Sequence, residues 1–158
     1  MLIVHMLVGI PGAGKSTLAR QIAPAAVVVS ADTIRLELYG SLRAAHETDR
    51  AARLREVFDV FHDRIARHLA AGADVVADAT HLTVDARRHV LDVADAHGAR
   101  VHAHLFADVG QALVRNRARG HDARVPHGVQ AEMVTRFRAA LDRIAHEPYH
   151  AVTTVTTV

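Results

Sequence analysis

An α/β fold, a parallel sheet of about five strands with helices on both faces, is what the sequence predicts, and three observations predict it. The chain opens on an apolar, β-branched run over 2–8, passes through Gly9-Ile10-Pro11-Gly12-Ala13-Gly14-Lys15-Ser16-Thr17, and continues with apolar positions at helical spacing until Pro24. Short apolar runs then alternate with longer amphipathic stretches to the end of the chain, the pattern of repeated strand–helix–strand units. Neither an internal repeat nor a low-complexity linker interrupts this alternation, so residues 1–158 read as a single domain.

Each element has its own signal. Residues 2–8 have the composition of a strand buried on both faces. A helix follows over 16–23, and a second strand over 25–29 ends at Ser30-Ala31-Asp32. A short helix over 33–39 stops at Gly40, with Asp32 placed as its N-cap, and 41–48 is polar loop. A long helix over 49–71 carries Leu54, Val57, Phe58, Phe61, Ile65 and Leu69 on one face and ends at Gly72. The third strand, 73–78, ends on Asp78, and a loop through Ala79, Thr80, His81 and Leu82 leads to a helix over 84–96 with Arg87 and Arg88 on its exposed side. A fourth strand spans 101–106, helices span 110–118 and 129–146, and a β-branched strand at 151–155 closes the sheet.

Gly9 to Thr17 matches G-x-x-x-x-G-K-[ST] with a strand before it and a helix after it, which makes the fold a P-loop NTPase. In that geometry backbone N–H groups wrap phosphate oxygens at a helix N-terminus, so Gly9, Pro11, Gly12, Ala13, Gly14, Lys15, Ser16 and Thr17 are the nucleotide-binding candidates. Lys15 reaches the β- and γ-phosphates and Ser16 ligates Mg²⁺. Lys15 is the only lysine in the chain. A composition this averse to lysine keeps it where a compact ammonium on a flexible stem is wanted.

Composition excludes several alternatives. Half of the residues are apolar and 23% are charged, an ordinary globular balance. With no cysteine there is neither a disulfide nor a thiolate metal site. The apolar opening is too short to span a membrane and runs straight into the glycine loop, so the expected compartment is the cytoplasm. The net charge of +2 permits nucleic-acid binding without demanding it, and most of the thirteen scattered histidines read as surface residues.

Four further features carry two readings each. Asp32 is either a helix cap or a carboxylate at the ligand-binding edge of an α/β sheet. Asp78 either begins a turn or is the strand-end aspartate that orders Mg²⁺. Phe58 and Phe61 belong to the core stripe, with base stacking as the alternative. The arginines from Arg115 to Arg124 form a solvated helix face or, over about 115–128, a lid that places guanidinium groups on a transferring phosphoryl.

Taken in order, the P-loop, Ser30-x-Asp32-x-x-Arg35, Asp78-Ala79-Thr80-His81 and Arg115-Asn116-x-x-Arg119 followed by Val125-Pro126 resemble the polynucleotide 5′-kinase family. The likeness extends to the phage enzymes and to the kinase domain of bacterial end-healing repair proteins, and covers nearly the whole chain. It implies that Asp32 is the general base toward a 5′-hydroxyl and that Arg35 holds a phosphate of the acceptor strand. It also implies that Asp78 lies near metal and acceptor, and that Arg119, with Arg115, contacts the donor phosphates. Thr80 and His81 complete the acceptor side. The family usually has Asn where this chain has His81, whose imidazole can still donate a hydrogen bond. Few aromatic residues are present to stack a single strand. No ligase or phosphatase companion accompanies the kinase, so a stand-alone or excised module is expected.

The resemblance implies an ATP- and Mg²⁺-dependent kinase acting on the 5′-OH end of DNA or RNA, with Lys15, Asp32 and Arg119 as the catalytic set. Two other readings stay open: a kinase of sugars, antibiotics or nucleosides, and an ATP-binding switch with slow hydrolysis and no acceptor.

Overall fold

The computed structural model describes residues 1–43 and 49–156. Five strands, β1 (Ile3–Val8), β2 (Val27–Ser30), β3 (Val75–Asp78), β4 (Arg100–Phe106) and β5 (Ala151–Val155), form one sheet in the order β2-β3-β1-β4-β5. Every neighbouring pair is parallel. Among the described residues, six helices connect them: α1 (Lys15–Ile22), α2 (Ala31–Tyr39), α3 (Arg50–Ala70), α4 (Val84–Ala96), α5 (Val109–Ala118) and α6 (His127–Ile144).

The strand order explains where a ligand can sit. From β1 the chain crosses past β3 to β2, whereas from β3 it crosses the opposite way to β4. Right-handed crossovers then place α1 on one face and α3 and α4 together on the other. Adjacent strands β1 and β3 therefore send their chains apart, and the crevice outside their carboxyl ends is the binding position of an open α/β sheet. That is where the glycine loop and Asp78 lie.

The core follows from strands covered on both faces, so that Leu7 and Val76 are as fully buried as their neighbours. Val4, Met6 and Val8 of β1, Val75 and Ala77 of β3, and Val101, Ala103 and Leu105 of β4 are all buried. From α3, Val57, Phe61, Ile65 and Leu69 are buried, with Phe58 packed at the margin. Apart from Leu54, which is partly exposed and outside the core, the stripe read from spacing is thus the core face of that helix. Gly72, at φ +81°, lies one residue beyond the C-cap Ala71.

Several boundaries and exposures differ from expectation. The N-cap of α2 is Ser30, whose Oγ accepts from the Thr33 amide at 3.4 Å, so Asp32 falls in the first helical turn and its carboxylate is not spent on capping. Helix α6 begins at His127, two residues before the expected start, with Pro126 as its N-cap. Part of the loop expected over 41–48 lies outside the described residues.

Arg87, expected to face solvent, is fully buried. Its Nε and Nη2 donate to Glu147 Oε2 and Oε1 at 2.8 and 2.7 Å. Buried guanidinium needs such a bidentate partner, and sequence distance hid it. Nor are the histidines all superficial. His81 is buried, and the in-register pairing of β1 with β4 gathers His5, His102 and His104 into a half-buried cluster. There His5 Nδ1 lies 3.1 Å from His104 Nε2, and burial pushes His104 down to a pKa of about 4. Among the described residues no helix is long and apolar enough to cross a membrane.

Candidate active site

The glycine loop is built for close approach. Gly12 has φ +87°, and a Cβ there would stand 2.4 Å from the Ala112 carbonyl oxygen of α5, so neither the conformation nor the space admits a side chain. Gly14, at φ +92°, is the N-cap of α1 and turns the chain into the helix whose first amides face the crevice. Gly9 ties the loop to its neighbour, its amide donating to the Thr80 carbonyl at 3.1 Å. Ala13 and Gly9 are buried supports of this loop, while Pro11, Gly12, Gly14, Lys15, Ser16 and Thr17 line a cavity of about 760 Å³.

Lys15 is nearly buried, and its ammonium donates to the carbonyls of Gly9 and Ile10 at 2.8 and 2.9 Å. Burial pushes its pKa down to about 8, against the opposing charges of Asp78 and Asp32. The Arg119 guanidinium also reaches it electrostatically. A cation held in so dry a place favours an anion that can replace its lost hydration.

The Ser16 hydroxyl donates to Asp78 Oδ2 at 2.7 Å. Burial raises the Asp78 carboxyl above the usual carboxylate range, opposed by this hydrogen bond and by Lys15. Two hard oxygens in contact beside a phosphate cradle fit Mg²⁺, which takes one or two protein oxygens and fills its octahedron with phosphate and water.

Asp32 and Arg35 lie together at the front of α2. Arg35 Nη1 donates to Asp32 Oδ1 at 2.6 Å, and both residues line the same cavity as the loop. The Asp32 carboxylate is half exposed, whereas Arg35 is largely covered and its buried Nε has no hydrogen-bond partner. Thr80, Arg115 and Arg119 line the cavity as well. Of the described lining residues, Lys15, Arg35, Arg43, Arg50, Arg115, Arg119 and Arg124 are cationic, against Asp32, Asp78 and Asp122. Such an excess of positive charge in a concave site concentrates anions.

His81 departs from the acceptor role. It takes φ +48°, and its side chain turns into the interior, where Nδ1 donates to the Leu7 carbonyl at 2.7 Å and the ring packs against Phe61. It does not line the cavity. Burial lowers its pKa to about 4, so it is a neutral structural imidazole. Arg87 Nη1 donates to its carbonyl at 3.0 Å and pins the loop from below.

Other site residues had no local signature. Asn116, inside the arginine motif, is buried and clips the loop that follows α5: Nδ2 donates to the Val125 carbonyl at 2.8 Å and Oδ1 accepts from the Val125 amide at 3.0 Å. It also donates to Gln130 Oε1 at 2.9 Å, and Gln130 Nε2 lies 3.4 Å from the Pro11 carbonyl, so the start of α6 is fastened to the glycine loop. Neither a lone Asn nor a lone Gln on an amphipathic helix announces such a bond.

Sheet order and glycine loop together define a P-loop domain with a kinase-like fold. The chain belongs to the AAA domain family, whose match spans residues 4–144. Among solved structures, a chain of the Pnkp1/Rnl/Hen1 RNA repair complex superposes with a TM-score of 0.75 at 20% identity, over 90% of this chain and 46% of that one. The protein therefore spans a little under half of that relative's length. Shikimate kinase from Acinetobacter baumannii, in complex with shikimate, gives 0.68 at 19% identity over 100% of this chain and 86% of that one. Chaetomium thermophilum Kti12 in complex with ADP-AlF3 gives 0.67 at 17% identity, over 97% and 88%. At these identities the likeness is one of fold. A comparison with curated protein sequences returns no match.

Proposed function

We propose that the chain transfers the γ-phosphoryl group of ATP to a hydroxyl, in the presence of Mg²⁺, and that its acceptor is the 5′-OH end of DNA or RNA. The observation that carries this reading is that Asp32 and Arg35 share one electropositive cavity with the phosphate loop, Asp78 and the lid arginines. A switch or slow hydrolase has no use for a carboxylate and a cation on the far wall of its phosphate cradle.

Phosphoryl transfer needs in-line placement and neutralised oxygens more than covalent chemistry. Loop amides and Lys15 hold the donor phosphates, while Ser16 and Asp78 hold Mg²⁺. When bound, the ion neutralises charge on the phosphate oxygens. Asp32 accepts the hydroxyl proton as the acceptor oxygen bonds to the γ-phosphorus and the bond to the bridging oxygen of ADP breaks. Arg35 orients Asp32 and has donors left for an acceptor phosphate, while Arg115 and Arg119 close on the transferred group.

Substitution Asp32→Ala should lower transfer by about 10²–10⁴-fold and leave nucleotide affinity close to that of the parent. Near-normal turnover by this variant would remove Asp32 from the base role. The acceptor is decided by γ-labelled ATP offered with 5′-OH DNA, 5′-OH RNA, and a panel of small alcohols that includes shikimate. Label in the oligonucleotides supports the reading; label only in a small alcohol replaces it.

A small-molecule acceptor is the second reading, favoured by one observation: Phe58 is the only aromatic residue among the described lining, which leaves a single stacking platform. The likeness to shikimate kinase, over the whole of this chain, is compatible with it.

A further inference from the structure

The tip of the lid is tied across the cavity to the segment that follows α2. Asp122 Oδ1 accepts from the Ser41 hydroxyl and from the Arg43 amide at 3.3 Å, and Oδ2 accepts from the Leu42 amide at 3.0 Å. Beside it the Arg43 guanidinium lies against the His121 ring, 2.5 Å from Nε2. Leu42 and Arg43 on one bank, and Asp122 and Arg124 on the other, all line the cavity.

Two further features make this contact matter. The lid loop is stiff from root to tip. Asn116 clips it at Val125, the Gly120 carbonyl accepts from the amides of Ala123 and Arg124, and Arg124 Nε donates to the Arg119 carbonyl at 3.2 Å. Fixing Asp122 therefore fixes the backbone that presents Arg119. On the other bank, Ser41 follows Gly40, the C-cap of the helix that carries Asp32 and Arg35. One carboxylate thus joins the donor-side arginines to the acceptor-side helix. The Ser41 hydroxyl and the two amides hold its pKa below the usual carboxylate range.

We propose that Asp122 is a positioning residue, a latch that holds the lid over the cavity and couples retention of the nucleotide to seating of the acceptor. Its role in retention follows from the P-loop alone; its role in coupling rests on the phosphotransfer reading. With the latch intact, lid and acceptor wall close as one body. Without it the lid arginines leave the phosphates more readily, and occupancy of the acceptor side no longer tightens the donor side.

The test compares the parent with Asp122→Ala, Ser41→Ala and the double variant, after equal thermal stability shows that each has folded. Three readouts are taken. Tryptic cleavage at Arg119 and Arg124 of nucleotide-free protein reports lid opening. The dissociation rate of N-methylanthraniloyl-ADP reports retention. The ATP KM at low and saturating 5′-OH oligonucleotide reports coupling. Asp122→Ala should speed cleavage and dissociation by about five- to tenfold, the usual size of a coupling between sites. Adding Ser41→Ala to Asp122→Ala should change cleavage and dissociation little more, because the contact of Ser41 with the 120s loop is already lost. Parent-like cleavage and dissociation in Asp122→Ala would overturn the latch. If the oligonucleotide takes no label from the parent while those two readouts still move, the acceptor assignment fails and the latch in retention stands.

Discussion

Lys15 is the residue on which the site turns, and its burial makes a sharp pH prediction. Free of nucleotide its pKa lies near 8. Polyphosphate beside it stabilises the charged form and raises that value, so binding above pH 8 takes up a proton. Nucleotide affinity should be flat up to about pH 8 and then weaken by up to about tenfold per pH unit. Titration calorimetry at pH 7, 8 and 9 in buffers of different ionisation heat checks both the affinity and the proton uptake. His81 makes the complementary case. Its folded pKa of about 4 lies below the unfolded value, so the unfolded chain binds the proton first and stability falls as pH drops from about 6.5 toward 4. The loss from this residue should reach about 2 kcal/mol by pH 5. Asn tolerates the left-handed backbone at this position and can still donate to the Leu7 carbonyl, so His81→Asn should keep activity and flatten the acid side of the urea-midpoint profile. His81 then does structural work at a position that the family resemblance assigns to the acceptor.

At the scale of elements, α4 shows how a polar pattern can hide a core anchor. Arg87 sits at a position whose spacing predicts solvent, yet it is buried under the segment that leads into β5, bonded to Glu147, which also accepts from the Tyr149 hydroxyl at 2.6 Å. Through the His81 carbonyl it braces the loop that follows Asp78. Removing Glu147 strands a buried guanidinium, and Glu147→Ala should cost about 3–5 kcal/mol, read as a lowered urea midpoint. The conservative Glu147→Gln keeps one acceptor and should cost less. Helix α2 shows the reverse. The sequence offers Asp32 as its cap, and only the observed helix start assigns that role to Ser30, two residues earlier. With Ser30 in that role, Asp32 is available for chemistry.

For the whole molecule, the excess of cations around the cavity is the property that separates the acceptor classes. If a nucleic acid end is seated there, transfer efficiency should fall steeply with salt, with a log–log slope of about −0.7 per phosphate contacted. A neutral small alcohol should show a much shallower dependence. Steady-state kinetics between low and moderate salt, with ATP saturating, measure the slope. A flat profile with an oligonucleotide acceptor would mean that Arg35, Arg43 and Arg50 do not hold its backbone.

The local signals of the sequence determined the phosphate loop, the helix and strand order, the stripe of α3 and the strand-end Asp78. Each of those is written in consecutive residues, through glycine conformations, apolar periodicity and strand length. Tertiary structure alone decided that Arg87 is buried, that His81 faces the core, and that Asn116, Gln130 and Asp122 find hydrogen-bond partners in other segments of the chain. Those outcomes depend on partners brought close by the order β2-β3-β1-β4-β5 and its crossovers. A hydrogen bond across 60 or 80 positions of sequence leaves no period to read.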